Sequence, residues 1–391
     1  MVLKNKKILL GVTGSIAAYK AVDLARRLSE AGAEISVIMT DASMNFISPI
    51  SFEIASRNRV YTDLLQEPMA HITLTSEAEL MVIAPATANI IGKFANGIAD
   101  DMLSTCLMSF KGKVIVAPAM NWRMYENPAL QKNLQYLSSM GVLQVGPEKG
   151  SLACGEDAIG RMADVREILE AVRAALSKKD LIGRKIVVTA GPTREYMDPV
   201  RFLSNRSSGK MGYAIAGAAL RRGAEVVLIS GPSQVRPPSA ADLIHVETTQ
   251  EMRDAVIRNI AGCSAVIMAA AVADFSPAER SGTKIEKSDG LTLRLIKTPD
   301  ILSEIGAMRP RPLLVGFAAE TGDDLSRARR KLSEKGADII VFNNVTSEDS
   351  GFDVDTNRIT LIEASGETSF PLMSKDEAAE MLLDRVVNLF P

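Results

Sequence analysis

The chain has 391 residues, too many for one ordinary hydrophobic core, so two domains are expected. Apolar residues make up 47% and charged residues 24%, with a formal net charge of −2; this fits a soluble globular protein and gives no electrostatic case for a nucleic-acid partner. The three cysteines, Cys106, Cys154 and Cys263, are too scattered for a disulfide framework, no CxxC pair suggests metal, and no stretch is apolar enough to span a bilayer. A reduced, cytoplasmic setting without membrane contact is expected.

The opening MVLKNKKILLGVTGSIAAYK places basic residues before a short apolar run that breaks at Gly11 and Gly14, which reads as a first strand rather than a signal peptide. Further strands are predicted at EISVIM, LMVIAPA, KVIVAPA and VLQVG, then at KIVVTA, EVVLIS, LIHVET, AVIMAAA, PLLVGFAA and DIIVFNN. Most of these runs lack alternation, as expected of parallel strands covered on both faces. Helical segments such as KAVDLARRLSEAG and DDLSRARRKLSEKG lie between them, so the fold class is α/β with two doubly wound domains. ARRLSEAGAEISVIM (25–39) resembles ALRRGAEVVLIS (219–230); a repeated unit or independent glycine caps would both produce this. The amphipathic VREILEAVRAALSKKDLIGRK runs into a polar turn at Gly183, placing the boundary at Arg184–Lys185 and the domains at 1–184 and 185–391. KIEKSDGLTLRLIKTP predicts an antiparallel excursion, and NRITLIEASGETSFPL a hairpin.

In the first half, Gly14 and Ser15 stand between a strand and a helix, where free N–H groups and the helix dipole suit a phosphate. The pattern is not GxGxxG, and a plain tight turn serves equally well. Thr40, Thr87, Asn89 and Asn121 follow predicted strand ends, the edge that lines the ligand crevice of an open α/β sheet. On spacing alone His71 reads as a surface loop histidine, and Cys106 as a core residue on an apolar helical face. Cys154 stands apart, among Gly150, Gly155 and Gly160 on a segment without hydrophobic periodicity.

GVTGSIAAYK, APATANIIGKFANGIADDMLST, PAMNWRMYENP and SLACGEDAIGRM resemble, in order and spacing, the homo-oligomeric flavin-containing cysteine decarboxylases. The match is to bacterial phosphopantothenoylcysteine decarboxylase domains over residues 1–184, and it implies a flavodoxin-like flavoprotein decarboxylase with FMN as cofactor. In that family the cysteinyl thiol of 4′-phosphopantothenoylcysteine is oxidised at the flavin to a thioaldehyde. CO2 then leaves, and the enethiolate is reduced and protonated. By position in the matching motifs, Cys154 would be the proton donor on a closing flap, His71 would act in the oxidation and Asn121 would grip the carboxylate. Gly14, Ser15, Thr40, Thr87, Asn89 and Ser104 would carry FMN, in a site built between subunits of a trimer.

In the second half, SSGKMG can be a phosphate cradle or a capped helix start. Asp274 lies just past a buried strand, with Lys284 and Lys287 on the following loop. Lys331 and Lys335 share a helical face, which is either solvated or a polyphosphate clamp. His245, without a partner carboxylate in sequence, reads as structural.

TAGPTRE, DPVRFLSNRSSGKMG, AAAVADF, KIEK and GFAAET resemble in order the phosphopantothenate–cysteine ligase domain of bacterial bifunctional coenzyme A enzymes, over residues 185–391. The resemblance implies a Rossmann-like ligase. CTP would activate the carboxylate of 4′-phosphopantothenate as an acyl-cytidylate with release of pyrophosphate, and the cysteine amine would displace CMP. Asp274, Lys284, Thr298, Pro299, Asp300, Ile301, Phe317, Lys331 and Lys335 would hold CTP, with Lys284 also stabilising charge during transfer. Asn205 matches the catalytic asparagine, and Arg201 belongs to a segment that crosses to a second subunit in a dimer. Mg2+ would offset the triphosphate charge. KIEK carries Glu286 where many relatives have a third lysine. Trimeric contacts in one domain and dimeric contacts in the other imply a closed homo-oligomer, a dodecamer. A single-activity flavoprotein decarboxylase and a non-catalytic regulatory flavoprotein are the alternative readings; the retained His71, Asn121, Cys154, Asn205, Asp274 and Lys284 speak against both.

Overall fold

The structure is a computed structural model that describes residues 3–65, 67–151, 155–287, 290–322, 324–344, 351 and 354–390. The chain forms two compact units, 1–177 and 178–391. In the first, β1 (Lys7–Val12), β2 (Glu34–Met39), β3 (Val60–Tyr61), β4 (Leu80–Ala86), β5 (Lys113–Pro118) and β6 (Leu143–Gln144) form a parallel sheet in the order 3-2-1-4-5-6. The unbroken apolar runs follow from burial on both faces. Ile8, Leu10 and Val12 enter one core layer with helices Ala18–Glu30 and Val165–Leu176, while Leu9 enters the other with helices Ala88–Ala95 and Met102–Ser109. A hairpin of β7 (Glu148–Ser151) and β8 (Asp157–Arg161) flanks the position of Cys154, which itself lies outside the described residues.

The second unit contains β9 (Lys185–Ala190), β10 (Arg194–Tyr196), β11 (Phe202–Ser204), β12 (Glu225–Ser230), β13 (Asp242–His245), β14 (Ala265–Met268), β15 (Phe275–Pro277), β16 (Leu295–Lys297), β17 (Leu313–Glu320), β18 (Ile339–Asn344), β19 (Thr356–Asn357), β20 (Ile359–Glu363), β21 (Gly366–Ser369) and β22 (Met373–Ser374). Its main sheet runs β13-β12-β9-β14-β17-β18-β20-β21, parallel as far as β18 and antiparallel beyond. The antiparallel excursion is the β15–β16 pair, and the hairpin is β20–β21. Taken in chain order, the parallel strands of this sheet repeat the arrangement of the first. The two similar strings occupy one topological position, a first helix turning through Gly32 or Gly223 into β2 or β12.

The division at Ser177/Lys178 lies ahead of the expected Arg184–Lys185, and the packing of the intervening turn explains why. Leu181 is fully buried in the second core. Asp180 accepts from Arg222 Nε at 2.8 Å and Nη2 at 2.6 Å, and Arg222 is only 1% exposed. Burial lowers the Arg222 pKa, but Asp180, Asp384 and Glu380 around it outweigh burial and raise it.

Candidate functional site

In a doubly wound sheet the chain leaves the strands in opposite directions at the switch point, and a crevice opens at their carboxyl ends. In the first unit that point lies between β1 and β4, where a cleft of about 1220 Å³ sits. Thr13, 2% exposed, ties the two strand ends together: its Oγ1 donates to Pro85 O at 2.7 Å and accepts from Thr87 N at 3.1 Å. Gly14, Ser15, Thr40, Thr87, Asn89 and Asn121 all line the cleft. Exposed apolar side chains of Ile16, Tyr19 and Phe46 share its wall, a surface suited to a flat ring system. Thr40 Oγ1 is buried without a hydrogen-bond partner among the described residues. A buried hydroxyl in that state is costly unless a ligand completes it. These features fit a phosphate-bearing aromatic cofactor.

Lys20 and Arg161 add positive charge at the rim, and burial followed by Arg161 lowers the Lys20 pKa. Neither residue stands out in the sequence; Lys20 is marked only by its place one turn into the first helix. Asn121 caps the short helix Trp122–Tyr125, its side chain accepting from Arg123 N at 2.9 Å. The same turn docks the hairpin. Met120 N donates to Gly160 O at 3.0 Å, and Trp122 Nε1 donates to Glu156 Oε2 at 2.5 Å. Gly160 has φ of 138°, and a Cβ there would lie 2.1 Å from Met120 O.

Two predicted residues stand outside this cleft. Ser104 is 1% exposed, and its backbone N–H and Oγ form a capping box with Asp101 at the start of helix Met102–Ser109. It reaches the cleft through Asp100 and Asp101, which line it. His71 lies on helix Ala70–Glu77, with its Nδ1 buried and without a partner among the described residues. Cys106 is buried at 0% exposure, and burial pushes its thiol up to about 12.

The second cleft, about 580 Å³, lies at the ends of β14, β17 and β18 and brings together nine predicted residues. Asn205 spends its amide hydrogens on Ala271 O and Val272 O, both at 3.1 Å. Asp274 follows β14, and Phe317 lies within β17. Thr298 Oγ1 donates to Ala273 O at 2.6 Å, and Pro299 and Ile301 flank Asp300, whose side chain caps helix Ile301–Ala307 by accepting from Ser303 N at 3.0 Å. Lys335 pairs with Asp300, and Lys331 Nζ donates to Phe317 O at 2.8 Å, so these two lysines are engaged and half-buried rather than solvated. Burial lowers the Lys331 pKa, while the Asp274 carboxylate pulls it back up. Burial would raise the Asp300 pKa, but Lys335 and the Ser303 N–H outweigh it and hold the carboxyl low.

Helix Lys210–Arg221 starts at Gly209 without a side-chain cap, and residues 207–212 line the cleft edge. Gly306 permits a close approach: a Cβ there would meet Lys335 O at 1.9 Å, so the helix capped by Asp300 and the one bearing the lysines come together. Lys284 is exposed and does not line the cleft. Its neighbour Ile285 is fastened to Asp198 and Arg201: Ile285 N donates to Asp198 Oδ2 at 3.1 Å, and Arg201 Nη1 donates to Ile285 O at 3.0 Å. Among the described residues no cluster of three His, Cys, Asp or Glu side chains could hold a metal ion, and no helix is long and apolar enough to cross a membrane.

A Flavoprotein family model matches residues 2–177, and a model of the DNA/pantothenate metabolism flavoprotein C-terminal domain matches residues 181–390. The coenzyme A biosynthesis bifunctional protein CoaBC of Bacillus subtilis (strain 168) is 44% identical over 397 residues, covering 99% of this chain and 98% of its own. The chain belongs to the CoaBC family. The CoaBC protein of Escherichia coli (strain K12) is 43% identical and covers 100% of this chain and 98% of its own. A crystal structure of a CoaBC C-terminal domain is 40% identical, covering 54% of this chain and 98% of its own, with a TM-score of 0.47. As a CoaBC member the chain is a bifunctional enzyme of coenzyme A biosynthesis, a phosphopantothenoylcysteine decarboxylase and a phosphopantothenate–cysteine ligase. Its first half is a flavoprotein domain.

Proposed function

We propose that the second cleft joins 4′-phosphopantothenate to cysteine at the expense of CTP, and that the first decarboxylates the product to 4′-phosphopantetheine with FMN as cofactor. The observation that carries this division is the assembly of two separate strand-end clefts, one with an orphaned Thr40 hydroxyl beside apolar walls, the other with paired lysines.

In the first cleft, Gly14, Ser15, Thr40, Thr87 and Asn89 hold FMN, with Ser104 bracing Asp101 behind it. When bound, FMN supplies a two-electron acceptor that later returns the pair. Asn121 orients the substrate carboxylate, and the hairpin docked through Gly160 and Glu156 excludes water. Cys154, carried by the segment between β7 and β8, delivers the final proton; a thiol suits this because its pKa lies within reach of neutrality. His71 lies apart from this cleft on its own helix, which accords with a site completed by a neighbouring subunit.

In the second cleft, Lys331 and Lys335 neutralise the triphosphate, Asp274, Thr298 and Phe317 seat the nucleoside, and the 299–301 turn closes one side. Mg2+ enters as part of the CTP complex. Asn205, fixed by two carbonyls, orients the acyl-cytidylate toward the amine. Lys284 reaches the nucleotide from a loop whose next residue, Ile285, is fastened by Asp198 and Arg201. Exposed Ile50 and Ile54 in the first unit, and Phe275 and Ile296 in the second, supply apolar surface for trimeric and dimeric contacts in a dodecamer. A cytoplasmic location accords with these substrates.

Paired variants test the assignment. Cys154→Ser is expected to accumulate an oxidised, decarboxylated enethiol while ligation continues, and Asn205→Ala to block ligation alone. Loss of both activities in either soluble, assembled variant would show that the two clefts do not divide the work as proposed.

A further inference from the structure

The ligase cleft is braced from behind by three buried polar side chains: Thr193, Glu195 and Thr249, exposed 0%, 7% and 1%. None of them lines the cleft. Glu195 Oε1 accepts from Thr249 N at 2.8 Å and from Thr249 Oγ1 at 2.7 Å. A carboxylate is acceptor-only, so the single Thr249 hydroxyl proton is spent on it; the alternative acceptor, Ala273 O, is farther away at 3.4 Å. Thr249 Oγ1 must therefore accept from Thr193 Oγ1, 3.1 Å away. Thr193 Oγ1 in turn accepts from Ala273 N at 2.9 Å. The result is a chain of hydrogen bonds with one direction, from the Ala273 amide through two hydroxyls to the Glu195 carboxylate.

Ala273 is the residue this chain serves. It precedes Asp274, and its carbonyl accepts from Thr298 Oγ1. The carbonyls of Ala271 and Val272, just before it, hold the Asn205 amide. Thr193 also grips the Asn205 side of the cleft, since its carbonyl accepts from Ser204 Oγ at 2.7 Å. One buried carboxylate thus sets the register between the loop that seats the nucleotide and the asparagine that meets the acyl intermediate.

We propose that Glu195, acting through Thr249 and Thr193, is a positioning residue for ligation that holds residues 271–274 in register with Asn205. The inference rests on the ligase reading of this cleft. Helix Thr249–Asn259 already has its own cap in Thr248, so the Glu195 contact to Thr249 is additional to ordinary capping. Buried hydrogen bonds to a charged group are strong enough that breaking one changes an equilibrium by about 10- to 100-fold.

The test is Thr249→Val, which keeps the side-chain shape and removes the hydroxyl, compared with Thr249→Ser, which restores it. Steady-state ligation is measured with CTP, phosphopantothenate and cysteine at a temperature where thermal denaturation shows the full-length protein folded. Decarboxylation of supplied phosphopantothenoylcysteine by the same sample is the internal control. Thr249→Val is expected to lower the ligation kcat about tenfold or more, with a smaller change in KM for CTP and unchanged decarboxylation, and Thr249→Ser to recover most of the loss. A merely structural role would lower Tm and leave kcat and KM alone; that result, or a serine variant as impaired as valine, overturns the inference. Should Thr249→Val give no soluble protein, Glu195→Gln replaces it. It keeps a carbonyl acceptor but loses the charge that orients the hydroxyls, so a fall in kcat of about threefold or more is expected, and an unchanged kcat overturns the inference. Absence of ligation in the wild-type protein would instead indict the reading of the cleft itself.

Discussion

Gly160→Ala is the substitution whose effect the structure defines most closely. A Cβ at this position would lie 2.1 Å from Met120 O, 3.3 Å from Met120 C and 3.4 Å from Trp122 N. Carbon–oxygen contacts normally begin near 3.3 Å, so β8 and the turn at Met120 must separate by about 1.2 Å. That movement breaks the Met120 N–H to Gly160 O bond, worth about 0.5–1.5 kcal/mol. Holding alanine at φ of 138° adds strain of order 1–3 kcal/mol. Together these disfavour the docked hairpin by about 1.5–4.5 kcal/mol, or roughly 10- to 2000-fold in population. The assay supplies phosphopantothenoylcysteine and follows CO2 release, with ligation in the same sample as the control for the second unit. Flavin absorbance of the desalted protein reports whether the first unit still holds its cofactor. Decarboxylation should fall by at least about tenfold with flavin retained and ligation unchanged. A variant within threefold of wild type would refute the claim that the docked hairpin closes the working site.

Lys331→Met should raise KM for CTP by about 10- to 100-fold through loss of a charge-assisted contact, leaving decarboxylation intact; because burial depresses the Lys331 pKa, wild-type CTP binding should also weaken with rising pH before an ordinary lysine titrates, and Lys331→Arg should remove that alkaline limb. Arg222→Leu would strand Asp180, Glu380 and Asp384 and should destabilise the second unit by about 3–5 kcal/mol in urea unfolding. Arg222 also holds the Asp180 carboxyl low, so this stabilisation is present above the ordinary carboxylate pKa and is lost as pH falls through the lowered one; the variant should lack that acid-side decline. Burial pushes Cys106 up to about 12 and Cys263 up to about 11, so a thiol reagent near pH 8 should mark Cys154 first and stop decarboxylation without touching ligation. Mass mapping of the label onto Cys106 or Cys263 would contradict this.

The strands most legible in the sequence were those buried on both faces. KILLGV and KIVVTA send alternate residues into opposite core layers, so every position after the leading lysine is buried, nearly all are apolar, and no turn interrupts the run. β3, only Val60 and Tyr61, is too short to register as a pattern. The β7–β8 hairpin is polar and glycine-rich, because it rests on the turn at Asn121 through backbone and Glu156 contacts rather than through an apolar face. Thr40 was identifiable because topology sends strand-end residues to the crevice, whereas Asn205, beyond the short β10–β11 ribbon, was placed by its position in a motif. Ser104 was placed with the cofactor by its position in a motif, whereas the Asp101-x-x-Ser104 spacing is itself a capping signal. Glu195 and Thr249 are 54 residues apart in sequence, and only the packing of β10 against the start of helix Thr249–Asn259 brings them together.

The most direct measurement supplies the purified full-length protein, with its flavin, with 4′-phosphopantothenate, cysteine, CTP and Mg2+, and identifies the products by mass. 4′-Phosphopantetheine, CMP and pyrophosphate are expected to appear together, with phosphopantothenoylcysteine as a transient. Accumulation of phosphopantothenoylcysteine without decarboxylation, or no consumption of CTP, would contradict the account of one chain with two working clefts.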